Sequence, residues 1–322
     1  MKKNIIVTGS SGFIGGHLVR KLMNQGHRVV GIDIENPKYQ YPDRFFKCDL
    51  RRQDVCENIF RQIGIDEVYN LACLMGGMGY IGSTDHSHDI MTGSTQIVAN
   101  VLDCSIKYNV GKLFYSSSAC VYNMHKQEQA NAPALKEADS YPAMPDLMYG
   151  WQKLKSELMC QGAFEQYGLN IRVARFHNIF GHEGIYDGGK EKAPAAICRK
   201  VAKAKDGDTI SIWGDGKQAR SFLFIDECLE GVERLMRSDC REPLNIGSNE
   251  MVSIDQLAKM AIEISGKDLK IEHDLTKPQG VRGRNSDNTM IEEKLGWKPT
   301  AKLYDGMKVT YNWINEQVNG RV

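Results

Sequence analysis

Tyr149-Gly150-Trp151-Gln152-Lys153 sets a tyrosine four residues before a lysine. On a helix that spacing brings both side chains to one face. An ammonium beside a phenol favours the phenolate, which can take a proton from a substrate hydroxyl as hydride leaves for a nicotinamide. Moving a phenol from about 10 to about 7 requires about 4 kcal/mol, so the positive ring of a bound cofactor has to contribute. Tyrosine and lysine four apart are also common on solvated helices, so the pair needs a second signal.

The N-terminus supplies one. Asn4-Ile5-Ile6-Val7-Thr8 is a short apolar, β-branched run that reads as a buried strand. It leads into Gly9-Ser10-Ser11-Gly12-Phe13-Ile14-Gly15, after which residues 16–25 read as a helix. Small residues let a backbone approach a pyrophosphate, and a helix N-terminus faces its charge. Gly9, Ser11, Gly12, Phe13, Ile14 and Gly15 are therefore candidate cofactor contacts. A second strand, 28–32, ends at Asp33, where a carboxylate suits the ribose hydroxyls of NAD and repels the extra phosphate of NADP. Lys38 and Arg44 follow, so NADP is disfavoured without being eliminated.

Composition narrows the class. The 322 residues suffice for one large domain or two smaller ones, and a formal net charge of +1 suggests no nucleic-acid or membrane surface. The apolar stretch after Met1-Lys2-Lys3 is too short for a signal peptide, and no segment approaches a membrane span. Nine cysteines form no C-x-x-C pair. They read as reduced thiols of a cytoplasmic protein, with no metal site expected.

Strand-like runs at 45–47, 67–72, 112–117 and 170–176 alternate with helical patterns at 94–107 and 150–167. Such alternation predicts an α/β fold, a Rossmann-type doubly wound parallel sheet covered on both faces, with a smaller interleaved α/β substrate-binding lobe. Residues 1–175 are assigned to the dinucleotide-binding domain, which also receives a segment near 214–240. Residues 176–322 form mainly the lobe, with helices at 192–204, 253–264 and 304–319 and a strand at 211–213. Ligands of such sheets sit outside the carboxyl ends of the strands. The turn 9–15, Asp33, Asp49 with Leu50, Leu71 with Ala72, and 116–118 all fall there.

Together the glycine turn, Asn70-Leu71-Ala72, Ser116-Ser117-Ser118 and the Tyr149/Lys153 pair resemble the extended short-chain dehydrogenase/reductase superfamily, whose members act on nucleotide sugars. Met75-Gly76-Gly77-Met78-Gly79, Ser118-Ala119-Cys120-Val121-Tyr122, Arg175-Phe176-His177-Asn178, the stretch 188–196 and Val281-Arg282-Gly283-Arg284 are similar to the GDP-mannose 3,5-epimerase family, over nearly the whole chain. The resemblance implies a tightly held NAD and no net redox change. Tyr149 and Lys153 would assist oxidation at sugar C4, and Cys120 and Lys192 would exchange protons at C3 and C5, giving GDP-L-galactose or GDP-L-gulose. It implies Lys200, Arg220 and Arg284 at the nucleotide diphosphate and Gly77 and Asn178 at the sugar. Ser118, Ala119, Glu191, Ala193 and Gln218 would line the same site. A homodimer paired through helices 94–107 and 150–167 is implied as well.

A thiol near 8.5 and an amine lowered by neighbouring cations are both usable near neutral pH. Cysteine is nevertheless commonest as a small core residue, and Lys190-Glu191-Lys192 could be an ordinary solvated run. The chain departs from its relatives at Cys73-Leu74 (usually Ala-Asp), at Asn123 and His182 (usually Pro) and at Lys190 (usually Arg). These positions border the sugar pocket, which leaves a modified sugar or another balance of C3 and C5 inversion open. A 4-epimerase would need no Cys/Lys pair, and a dehydratase would place carboxylates near Cys120. A non-catalytic binding relative would lose Tyr149 and Lys153 and expose a basic surface.

Overall fold

The apolar run Asn4–Thr8 forms β1, and four of its five residues are buried. In this computed structural model, which describes residues 1–62 and 64–320, α1 (Phe13–Asn24), β2 (Arg28–Asp33), β3 (Arg44–Lys47), α2 (Gln53–Phe60) and β4 (Glu67–Asn70) follow. Next come α3 (Met78–Ile81), α4 (Ser87–Lys107), β5 (Lys112–Ser118), α5 (Leu147–Tyr167) and β6 (Ile171–Phe176). The chain continues through β7 (Ile179–Phe180), α6 (Ala193–Lys203), β8 (Thr209–Trp213), β9 (Ala219–Ser221), β10 (Leu223–Phe224), α7 (Ile225–Arg237) and β11 (Leu244–Ile246). It closes with β12 (Met251–Ser253), α8 (Ile254–Ser265), β13 (Lys270–Asp274), β14 (Gly283–Arg284), α9 (Thr289–Leu295) and α10 (Leu303–Asn319).

Seven parallel strands make one sheet in the order β11-β6-β5-β4-β1-β2-β3. Its inner strands read as apolar runs because helices cover both faces. Within β1, Ile6 joins a core with Val98, Val101 and Leu102 of α4 and Cys160 of α5. Ile5 and Val7 face the other way, onto Leu18 and Leu22 of α1 and Val232 and Leu235 of α7. A third core lies among α6, α8 and α10 and holds Ile197, Val201, Leu257 and Met307. Beside it, β9 pairs with β12 and β14, and β8 runs parallel to β13.

Three boundaries differ from the sequence pattern. Helix α4 starts at Ser87 rather than 94: His88, Asp89 and Thr92 blur the period, while Ile90 is fully buried and anchors the early turns. Strand β4 stops at Asn70 rather than 72, because Thr8 Oγ1 takes the N–H groups of Leu71 (3.2 Å) and Ala72 (3.1 Å) in place of a ladder. Finally, α7 and β11 have no counterpart among the predicted elements, yet they return residues 225–246 to the large sheet and its second core.

Candidate active site

At the end of β1 the chain turns at Gly9, where φ is +68° and a Cβ would lie 2.9 Å from Ala72 N. A Cβ on Gly15 would sit 2.0 Å from Gly9 O, so α1 can meet the turn this closely only with glycine there. Gly12 caps α1 with no side-chain hydrogen bond, which leaves the N–H groups of the first turn, at Phe13 and Ile14, without a side-chain cap. Asp33, ending β2, accepts from Ser11 N–H (2.9 Å) and Glu35 N–H (3.0 Å). Asp49, just past β3, is clamped by Arg51 at 2.6 Å and held below the usual carboxylate range by that hydrogen bond, with Leu50 buried beside it. All of these lie at carboxyl ends of sheet strands, as do Leu71 and Ala72.

Helix α5 carries the chemistry-bearing pair. Tyr149 and Lys153 are both buried, and Lys153 Nζ lies 5.7 Å from the Tyr149 ring centre. The ammonium donates to Ser116 O at 2.7 Å and faces the Tyr115 ring at 5.0 Å. Burial pushes the Tyr149 phenol well above its ordinary value, and Lys153 opposes that only in part. A phenolate therefore does need a further positive charge. For Lys153 burial works against the charge, but Cys73, Tyr115 and Tyr149 outweigh it and keep the lysine charged.

Gly150 fixes the approach of α5 to the next group. A Cβ there would lie 2.2 Å from Cys120 O, so the helix rests directly on the single turn Ala119–Val121. Ser118 Oγ caps that turn by accepting from Cys120 N–H at 3.2 Å. Ala119 and Cys120 are buried, and Cys120 packs with Ile90 and Tyr149. Burial and Asp146 raise the thiol, while Arg284 lowers it.

Lys192 is the N-cap of α6, partly buried, with Ala193 and Pro194 opening the helix. Its amine is held below the ordinary lysine value. The cause is burial and not the neighbouring cations expected from the sequence; Cys120 acts in the opposite sense. A helix N-terminus adds to the penalty on a cation. The preceding loop is tied to Gly77, whose N–H donates to Lys190 O at 2.9 Å. Glu191 is held by Arg199 (2.9 Å) and Gly189 N–H (2.7 Å).

Farther out, the expected diphosphate residues do not share one environment. Lys200 Nζ donates to Ser211 O at 2.5 Å. Arg220 donates to the carbonyls of Ala219 (2.8 Å) and Val281, and burial with neighbouring Arg284 pulls its guanidinium down to about 9. Arg284 instead meets Cys120 Sγ at 3.2 Å, Asp146 at 2.7 Å and Gln127 at 2.6 Å. Gln218 Oε1 is buried without a hydrogen-bond partner. Asn178, at φ +45°, donates to Ser221 O at 2.9 Å.

Sequence reasoning did not single out Asp146 or Gln127, because one carboxylate and one amide in separate loops give no spacing signal. The departures also resolve by geometry. Cys73 acts electrostatically on Tyr149, Lys153 and Lys192, so it belongs to this cluster. Asn123 is structural: it caps His125 N–H (3.0 Å) and donates to Pro142 O (2.9 Å). His182 sits against His17, with the Nε2 atoms 3.3 Å apart, and Lys190 covers the Tyr80 ring at 4.7 Å.

The profile of the NAD dependent epimerase/dehydratase family matches residues 5–247. The chain is 47% identical over 321 residues to a GDP-mannose 3,5-epimerase of Oryza sativa subsp. japonica, covering 98% of this chain and 83% of that protein. It belongs to the NAD dependent epimerase/dehydratase family. The Arabidopsis thaliana GDP-mannose 3,5-epimerase is 45% identical over 318 residues, covering 98% of this chain and 82% of the relative. Among solved structures, the UDP-glucose 4-epimerase of Thermotoga maritima superposes with a TM-score of 0.88 at 25% identity, covering 98% of this chain and all of that one. As a member of the epimerase/dehydratase family the chain uses NAD. The residues fit that group: a glycine cradle that a Cβ would fill, a helix start without a side-chain cap, and the Asp33 carboxylate at the end of β2.

Proposed function

We infer that the protein is a GDP-mannose 3,5-epimerase. The observation that carries this is a buried thiol, Cys120, in electrostatic contact with the partly buried amine of Lys192 beside the Tyr149/Lys153 pair. Two groups able to hold one proton between them are what inversion requires, since one face must lose a proton and the other gain it.

NAD, bound at the glycine turn, supplies a reversible hydride acceptor for sugar C4. Tyr149 takes the proton of the C4 hydroxyl, and Lys153 holds the phenolate by its charge. With C4 at the ketone level, the hydrogens on C3 and C5 are α to a carbonyl, and a modest base suffices. Cys120 and Lys192 serve as the acid–base pair for those carbons, and Tyr149 returns the C4 proton at the end. Burial helps both partners: it favours the neutral thiol, which can give a proton, and the neutral amine, which can take one. Arg220 has no carboxylate within ion-pair distance among the described residues, only carbonyls. A half-buried cation in that state calls for an anionic ligand, and a nucleotide diphosphate provides it.

The competing 4-epimerase reading is decided by isotope. Incubated with GDP-mannose in heavy water, the protein is expected to place deuterium at both C3 and C5, read by NMR. Label at neither carbon, with C4 inverted, would establish the alternative.

Among the described residues no helix is long and apolar enough to cross a membrane. We place the protein in the cytoplasm, a reading supported by the free state of its cysteines. A homodimer through α4 and α5 is part of the same proposal. Ile97, Val98, Val101, Leu102 and Leu154 are spent on the core, but Met148, Trp151 and Leu158 of α5 stay exposed at helical spacing. Such a stripe favours an apolar partner surface. Light scattering at micromolar concentration is expected to give twice the 36.2 kDa chain mass; the mass of a single chain would exclude the pairing.

A further inference from the structure

Strand β14 runs parallel to β9 with Arg284 opposite Arg220, so two guanidiniums enter the site side by side. Their partners separate them. Arg220 reaches only backbone carbonyls. Arg284 is buried, and each guanidinium nitrogen donates once: Nε to Gln127 Oε1 (2.6 Å), Nη2 to Asp146 Oδ2 (2.7 Å) and Nη1 to Cys120 Sγ (3.2 Å). Gln127 is itself anchored, donating to the carbonyls of Tyr122 and Asn123 at 3.3 Å each. Asp146 caps α5 immediately before the turn that carries Tyr149, and its second oxygen is buried without a hydrogen-bond partner. These bonds tie the guanidinium to the thiol and to the start of α5, and a phosphate is within reach only of the N–H groups they leave uncommitted.

We propose that Arg284 is a positioning residue for Cys120: held by Asp146 and Gln127, it orients the sulfur and sets how readily the thiol gives up its proton. The proposal rests on the acid–base role of Cys120 given above. The groups that face the sulfur from the packed elements are Arg284 of β14, Asp146 and Tyr149 of α5, Lys192 at the start of α6 and Arg220 of β9. From α4 the apolar Ile90 packs with it, and Leu74 with Tyr80 and Ile81 of α3 lie against the same cluster. The two charged groups at Arg284 and Asp146 act in opposite senses. The guanidinium stabilises the thiolate, and the carboxylate destabilises it.

The test titrates Cys120 in substrate-free protein. Far-ultraviolet thiolate absorbance is read for each protein against the same protein carrying Cys120→Ala, so that the other eight thiols cancel. Arg284→Gln is expected to raise the thiol midpoint by about one pH unit or more, corresponding to an about tenfold smaller thiolate fraction at fixed pH. Arg284→Lys, which keeps the charge, is expected to raise it less. Asp146→Asn, still able to accept from Arg284, is expected to lower it.

Opposite signs separate tuning from loosening, since loss of packing would move every variant toward the free-thiol value. A midpoint unchanged or lowered in Arg284→Gln overturns the proposal. So does a fall in nucleotide-sugar affinity with the thiol unmoved, which is the signature of a phosphate contact alone. Should Arg284→Gln fail to fold, Arg284→Lys decides, because a rise runs against loosening: with native circular dichroism, a midpoint that stays or falls overturns the idea. Because no sugar is present, the titration stands apart from deuterium exchange, which tests the epimerase reading itself.

Discussion

Replacement of Tyr149 by phenylalanine is expected to lower turnover of GDP-mannose by about 10²–10⁴-fold while binding of the sugar nucleotide persists. The substitution removes one oxygen, and among the described residues no protein group hydrogen-bonds it. The ring remains to face the Lys153 ammonium, as it does at 5.7 Å in the native protein. Lys153 keeps its bond to Ser116 O, so α5 and the turn at Cys120 hold their places. What disappears is the group proposed to receive the C4 hydroxyl proton. Since C3 and C5 become acidic only after C4 is oxidised, deuterium exchange at both carbons should fall in proportion to turnover. Calorimetric binding of GDP-mannose together with NMR-monitored exchange checks both halves. Turnover near the native rate would remove Tyr149 from the mechanism, and lost binding with native folding would make it a substrate contact.

Much of this site was legible in the sequence because its parts are local patterns. The strand, glycine turn and helix start at 4–15 are dictated by close backbone approach, which only particular residues permit. Tyr149 and Lys153 carry their geometry in their spacing. The parallel sheet was legible for the same reason, as Ile5, Ile6 and Val7 report burial on both faces. The second half was less so. Strand β11 is three residues long and acquires its identity only by pairing with β6. Helix α7 does repeat Ile225, Cys228, Leu229, Val232 and Leu235 at helical spacing, so its signal was present and went unread.

The charges at the site illustrate the other limit. That Lys192 is lowered by burial rather than by cations, and that Arg284 meets Asp146 and Cys120 across 138 and 164 residues, depend on contacts between distant segments. No periodicity encodes them. Lys192 in particular reads as one more solvated charge until α6 is seen to begin at Ala193 with the lysine as its cap.

Cys120→Ala and Lys192→Ala divide the chemistry from the other side. Neither change touches Tyr149, Lys153, the glycine turn or Asp33, so oxidation and reduction at C4 remain available in both proteins. Each removes one of the two groups proposed to take and return the protons of C3 and C5. Cys120 is buried against Ile90 and Tyr149, and alanine there leaves a space of one sulfur atom. That loss affects packing modestly. It also releases Arg284 Nη1 from its contact, while the bonds to Asp146 and Gln127 hold the guanidinium in place. Deuterium incorporation from heavy water is therefore expected to fall by about 10²-fold or more in each single variant. The double variant should fall little further, because two groups that act as a pair lose their function together. NMR of the sugar after incubation reads C3 and C5 separately. If exchange in Cys120→Ala proceeds at nearly the native rate, the cysteine is a core residue and the proton passes elsewhere. If one carbon still exchanges and the other does not, each residue serves its own carbon and the pair is not shared.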